Sequence, residues 1–187
     1  MRFHLEPFTL IGATTRTGLL KQPFRDRFGI MERLDFYNTT SLSEIVKRSA
    51  SLLDLNLEQE AANEIACRSR GTPRIVNRLL RRIRDYAQVE KKSQIDKNLV
   101  DYALEELGVN EYGLDRMDME ILNLIHNQFS GGPVGIETLS ATLSEEPDTL
   151  EDFYEPYLLR KGFLQKTPRG RILTEQGKVV IESDKAK

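Results

Sequence analysis

The stretch Arg70–Asp85, RGTPRIVNRLLRRIRD, decides the fold. Gly71-Thr72-Pro73 stops one helix and starts the next, since glycine ends helices and proline suits a first helical turn, where its missing N–H costs nothing. Beyond it Ile75, Val76, Leu79, Leu80, Ile83 and Ala87 recur along one face, which predicts an amphipathic helix over Pro73–Glu90. Such a stripe needs partners, and helical patterns flank it on both sides. Ser41–Asp54 opens with Ser41 and Glu44 at capping-box spacing, Glu58–Ser69 follows, and Asp96–Leu107 closes at Gly108. Four short helices predict a small lid-sized bundle over residues 39–110.

Asn110–Gly113 reads as a linker, after which the plan changes. Helices are predicted over Leu114–Phe129, Ile136–Leu143 and Asp148–Arg160, the last kinked at Pro156, with Ser130–Pro133 as a turn. Phe163–Lys166 and Arg171–Thr174 read as strands joined by Thr167-Pro168-Arg169-Gly170, and a last helix spans Glu175–Glu182. Three helices followed by a hairpin predict a winged-helix module over residues 111–183, with residues 184–187 as a disordered tail. On the other side, Phe8–Ala13 (FTLIGA) has the look of a strand buried on both faces, and Arg33–Tyr37 alternates like a neighbouring strand. Two strands make no covered sheet. Residues 1–38 are therefore expected to be the C-terminal remnant of an α/β domain, with earlier strands upstream and Met1 not the natural start. The fold class expected is mixed but mainly α: an α/β remnant, a helical bundle and a winged helix.

Composition narrows the chemistry. At 39% hydrophobic and 30% charged, with a net charge of -2, the chain suits a soluble globular protein and offers no whole-chain case for binding nucleic acid. Any such binding has to come from a local cluster. The single Cys67 excludes an internal disulfide and is expected in the core. With only His4 and His126 besides, no zinc cluster can be built. No run approaches the roughly 20 apolar residues of a membrane span. Met1–Pro7 has no secretory core, so a cytoplasmic location without membrane contact is expected.

A phosphate-binding loop needs Gly-x4-Gly-Lys-Ser/Thr, and none of the 12 glycines sits in that frame. The only acid ahead of the first apolar run is Glu6. Alone, the chain is expected neither to hold Mg-ATP nor to hydrolyse it. Three segments make sense beside such a site. Gly12-Ala13-Thr14-Thr15-Arg16 follows the apolar run, where α/β sheets place ligand contacts. Pro23-Phe24-Arg25-Asp26-Arg27-Phe28-Gly29 sets two arginines among aromatics. Gly71-Thr72-Pro73-Arg74 puts a cation in a first helical turn, where the helix dipole disfavours it. Each also reads blandly, as a capped turn, a surface ion pair with Asp26 or a solvated arginine.

Together these segments resemble the AAA+ ATPases, and within them the RuvB family of bacterial Holliday-junction branch-migration motors. FTLIGATTRTGLL, PFRDRFGI, LDFY, RGTPRIVNRLLRRIRD and GFLQKTPRGR carry the likeness from about Pro7 to Gly177. The resemblance implies roles at matching positions. Thr15 corresponds to sensor 1, which monitors the γ-phosphate or the attacking water, and Arg27 to the arginine finger offered to a neighbouring subunit's nucleotide. Tyr37 corresponds to a residue near the base, and Arg74 to the sensor 2 arginine reaching the phosphates from the lid. It further implies ATP and Mg2+ as cofactors, a homo-hexamer, duplex DNA at Holliday junctions and RuvA as partners, with Met1–Leu5 as the returning strand of the RuvA-docking hairpin.

The last module splits its charge. Glu145–Glu155 carries Glu145, Glu146, Asp148, Glu151, Asp152 and Glu155 without a base, whereas Arg160–Arg171 carries Arg160, Lys161, Lys166, Arg169 and Arg171 without an acid. An acidic third helix would be repelled by phosphates, so the wing is the expected DNA element, through Lys166, Arg169 and Arg171, positions that contact DNA in the resembling family. Such contacts position without reading bases, which implies sequence-independent, salt-sensitive binding. Arg78, Arg81, Arg82 and Arg84 read as a solvated face of the lid helix. A winged-helix transcriptional regulator stays open as the alternative, and it predicts a preferred DNA sequence.

Overall fold

The computed structural model describes residues 6–185, and the chain divides after Asp35 into two compact units. The first unit holds a 3-10 turn, Thr17–Leu19, and a short helix α1, Gln22–Arg25. The strands expected at Phe8–Ala13 and Arg33–Tyr37 do not form. A strand exists only when a neighbour takes up its N–H and C=O groups, and neither stretch has a ladder partner among the described residues. Their apolar side chains stand exposed, Ile11 at 89% and Leu34 at 93%. Met1–Leu5 lies outside the described residues.

In the second unit α2 (Thr39–Leu52), α3 (Gln59–Cys67), α4 (Pro73–Val89) and α5 (Lys97–Glu106) form the bundle. The stripe on α4 buries Val76, Leu80 and Ile83 against Leu42, Ile65 and Leu104. The capping box at Ser41 and Glu44 is not used. Asn38 caps α2 instead, its Oδ1 accepting the Ser41 N–H at 2.8 Å, so the helix starts ahead of Ser41. Cys67 is exposed, not buried, because the apolar stripe of α3 is Ala61, Ala62, Ile65 and Ala66, and the next position turns away from it.

Residues 110–113 are a tight turn rather than a slack linker: Asn110 Oδ1 accepts the N–H groups of both Tyr112 and Leu114 at 3.0 Å. It leads into α6 (Arg116–Phe129), whose capping box is Asp115 with Asp118. α7 (Ile136–Leu143) follows, and then a third helix built from α8 (Pro147–Thr149), a π-helical turn (Leu150–Tyr154) and α9 (Glu155–Arg160). Pro156 donates no N–H and its ring crowds the carbonyl four residues back, so the helix widens ahead of it rather than kinking at it. Strands β1 (Leu164–Thr167) and β2 (Gly170–Leu173) pair antiparallel with Thr167 opposite Gly170, so both start or end a residue away from the sequence prediction. Val134, read from sequence as following a plain turn, exchanges hydrogen bonds with Arg171 and supplies a third strand-like edge. That edge explains Gly170: its φ is +130°, and a Cβ there would strike the Val134 carbonyl. Helix α10 (Glu175–Lys185) takes in Asp184 and Lys185, which had been assigned to a disordered tail; Ala186 and Lys187 lie outside the described residues. Leu122, Ile125, Leu139, Leu158 and Ile181 fill this second core. No helix among the described residues is long and apolar enough to cross a membrane.

Candidate functional site

The sequence-predicted phosphate-facing residues fall in both units. In the first, Thr15 sits exposed in the bend ahead of the Thr17–Leu19 turn, beside Thr14, whose Oγ1 accepts the Arg16 N–H at 3.1 Å. Arg27 follows α1 in a turn closed by its own N–H on the Phe24 carbonyl at 3.3 Å, with Phe24 and Phe28 packed edge to face at 5.4 Å. Asp26 does not pair with Arg27. It accepts the Gln22 amide at 2.6 Å, which leaves the Arg27 guanidinium exposed and without an ion-pair partner among the described residues.

In the second unit Arg74 occupies the first turn of α4, exposed and likewise without an ion-pair partner among the described residues. The N–H groups at a helix start repel a cation, so the guanidinium extends into solvent, where an anion would be welcomed. Arg82 and Arg84, further along α4, lean on Asp85 at 3.5 and 2.9 Å, in keeping with a solvated face. Tyr37 is half exposed, and its N–H donates to the Gly71 carbonyl at 2.9 Å. The stretches that carry Tyr37 and Arg74 are therefore tied together at the turn preceding α4.

That turn is braced by residues the sequence did not single out. Arg70 is buried with φ +57°, and it donates from Nε to the Gly113 carbonyl at 2.9 Å while Nη2 meets Asp115 at 2.8 Å and also Asp118. Asp118 is fully buried. Burial pushes its carboxyl up to about 7, against the downward pull of the Arg70 guanidinium and with Asp115 adding to the rise. Arg160, counted from sequence among the wing's bases, turns the other way. It donates to the Arg70 carbonyl at 2.6 Å and lies over the Phe36 ring at 3.7 Å. Tyr157 completes the joint, donating to the Tyr112 carbonyl at 2.7 Å, and burial pushes its hydroxyl up to about 12. The one sequence signal for this joint was Asp-x-x-Asp ahead of an apolar run, a capping-box spacing; nothing local marked Arg70 or Arg160.

The wing corrects the DNA-contact expectation. Arg171 is 5% exposed, its Nε and Nη2 bonded to Glu155 and its Nη2 to Glu151 at 2.5 Å. It props the hairpin on the third helix, with its guanidinium turned in from solvent. Lys166 is exposed, but it pairs with Glu151 at 2.9 Å, and these hydrogen bonds, Lys166 first and Arg171 next, hold the Glu151 carboxyl below its ordinary value. The acidic and basic stretches that looked like opposed surfaces thus partly neutralise each other. Arg169, exposed in the turn between β1 and β2, has no ion-pair partner among the described residues.

A four-helix lid with an outward first-turn arginine, packed onto a winged-helix domain, defines the class: the lid and winged-helix portion of a AAA+ protein. Residues 37–110 match the RuvB AAA lid domain, 111–182 the RuvB C-terminal winged helix domain and 1–34 the P-loop domain of the Holliday junction DNA helicase RuvB. The chain belongs to the RuvB family. It is 57% identical over 185 residues to the Holliday junction branch migration complex subunit RuvB of Bdellovibrio bacteriovorus, covering 99% of this chain and 56% of that protein. It is 56% identical to the Myxococcus xanthus subunit of the same name, covering 94% and 51%. The chain therefore spans about half the length of these relatives. The Thermotoga maritima RuvB Holliday junction branch migration motor superposes with a TM-score of 0.90 at 51% identity, over 95% of this chain and 60% of that one. These matches support the motor reading and lend nothing to a transcriptional regulator.

Proposed function

We propose that this chain serves as the sensing and DNA-holding part of an ATP-driven, hexameric RuvB-type translocase that moves Holliday-junction branches in the cytoplasm. The observation that carries the reading is the pair of exposed guanidiniums, Arg27 and Arg74, without ion-pair partners among the described residues, whereas the buried Arg68, Arg70 and Arg171 are all paired. Planar, permanently charged forks suit the oxygens of a triphosphate. Arg27 would reach the nucleotide of a neighbouring subunit and Arg74 that of its own, with Thr15 orienting the attacking water and Tyr37 lying near the base. A finger arginine supplied in trans contributes about 10³–10⁵ in rate in GTPases. The donor set fits phosphate and not metal: among the described residues no cluster of His, Cys, Asp or Glu could hold an ion. Mg2+ would be held with ATP by groups other than the described residues.

On the DNA side Arg169, and Lys166 once released from Glu151, would contact phosphates, while Arg171 stiffens the wing. RuvA would be the junction-binding partner. Hydrolysis tilts the lid, and the winged helix packed on it carries the duplex along. Two measurements test this. In the complete motor, Arg27→Ala and Arg74→Ala should each lower ATP turnover by at least about 10²-fold; an unchanged rate in both would end the proposal. Duplexes of unrelated sequence should bind with equal affinity, whereas a strong preference for one sequence would favour the regulator.

A further inference from the structure

We infer that Arg160, in the winged-helix domain, is a positioning residue for the nucleotide site of the lid, holding the turn from which Tyr37 and Arg74 are presented. The inference rests on the proposed roles of those two residues.

Arg74 lies three residues beyond Gly71 at the start of α4, so its direction is set by the turn Ser69–Thr72. Within that turn the Thr72 N–H donates to the Ser69 carbonyl at 3.1 Å, and the Gly71 carbonyl receives the Tyr37 N–H. The turn contains two successive left-handed residues, Arg70 at φ +57° and Gly71 at +78°. An L-residue such as Arg70 holds that conformation only where its surroundings over-determine it. Here the surroundings are winged-helix groups. Gly113, Asp115 and Asp118 grip the Arg70 side chain, and Arg160 takes its carbonyl at 2.6 Å. Arg160 also stacks at 3.7 Å on Phe36, the residue before Tyr37. One guanidinium therefore touches both strands of chain that lead to the nucleotide-facing residues. A Cβ at Gly71 would come within 2.9 Å of both Phe36 Cβ and Arg160 Nη1, which shows how closely the three are fitted. Force on the wing reaches the third helix, whose last residue is Arg160, and from there it reaches the turn that aims Arg74.

The test is a double-mutant cycle in the complete motor, reading the Kd for ATP and kcat. Arg160→Met keeps length and loses the charged hydrogen bond; it should weaken ATP binding about 5- to 30-fold, the range typical of coupling between sites. Arg160→Lys, which can still donate to the Arg70 carbonyl, should recover part of that. In an Arg74→Ala background Arg160→Met should add little, because the residue being aimed is gone. Hydrogen exchange at the Ile83 and Ile125 amides is the check that both cores remain folded. If they do not, Asp118→Asn, which loosens the same turn through Arg70, replaces Arg160→Met in the cycle. An Arg160→Met variant with unchanged ATP affinity beside a weakened Arg74→Ala overturns the positioning role alone. A loss undiminished in the Arg74→Ala background also overturns it, by showing a general structural effect. An Arg74→Ala variant with normal affinity removes the nucleotide reading itself, and this inference with it.

Discussion

Replacing Arg171 by methionine should loosen the wing rather than simply weaken DNA binding. The guanidinium lies 5% exposed between β2 and the third helix, and its loss strands Glu155, also buried, without its principal partner. Removing one member of a buried pair costs about 3–5 kcal/mol, because the remaining charge is left desolvated. Lys166 Nζ stands 3.8 Å from Glu155 and compensates in part, and Glu151 is solvated enough to tolerate the change, so the lower end, about 3 kcal/mol, applies. The second unit has two cores that need not open together, so the measurement is amide hydrogen exchange at the wing rather than one global melt. The Val134 N–H and the Leu173 N–H, bonded to Arg171 and Gly131 carbonyls, should exchange roughly 10²-fold faster. Lid amides such as that of Ile83 should not change. Arg171→Met/Glu155→Leu, which removes both charges, should recover most of the loss. If Arg171→Met left wing protection within about 0.5 kcal/mol of the parent and lowered duplex affinity as Arg169→Ala does, the assignment of Arg171 as a prop would be refuted.

Other consequences follow from the same contacts. Arg169→Ala should leave stability unaltered and lower affinity for every duplex alike, reducing the salt slope of binding by about one, as read from titrations at several salt concentrations. The Asp118 carboxyl keeps its proton up to about 7 in the folded chain but releases it near 3.8 when unfolded. The folded state therefore binds more protons in that window, and its stability should fall as pH rises through it, by a few kcal/mol in all at about 1.4 per unit. Asp118→Asn should flatten that slope in chemical unfolding, and an identical slope in both proteins would contradict the assignment. Gly170→Ala should cost more than about 1–2 kcal/mol, since its positive φ and the Val134 carbonyl both exclude a Cβ, with the loss read as faster exchange at Arg171. Exposed Cys67 should react with a thiol reagent in the native chain about as fast as after unfolding; a buried thiol would be slow.

Periodicity made the helices legible. The stripe from Ile75 to Ala87 and the Gly71-Thr72-Pro73 stop are local signals, set within a few residues, and the structure places α4 within a residue of them. α7 was bounded correctly for the same reason. Helix starts were less legible, because Asn38 and Ser41 both have the chemistry of a cap and only the path of the incoming chain chooses between them. The apolar run at Phe8–Ala13 had the composition of a strand, but composition supplies no neighbour, and pairing is what makes a strand.

Read alone, the 187 residues determined the family, the two helical modules and the three motif segments, since motif order and hydrophobic period are properties of neighbouring residues. The fate of each arginine was decided only in three dimensions. Arg169 and Arg171 are two residues apart in one basic run, yet one faces solvent and the other is buried on Glu155, because Arg169 sits in the turn at the hairpin tip whereas Arg171 lies in β2, where the strand packs on the third helix. Arg160 and Arg70, 90 residues apart in sequence, meet in a joint between modules. A guanidinium's role depends on which carboxylate, ring or carbonyl packing brings within about 3–6 Å of it, and sequence patterns carry no such distances.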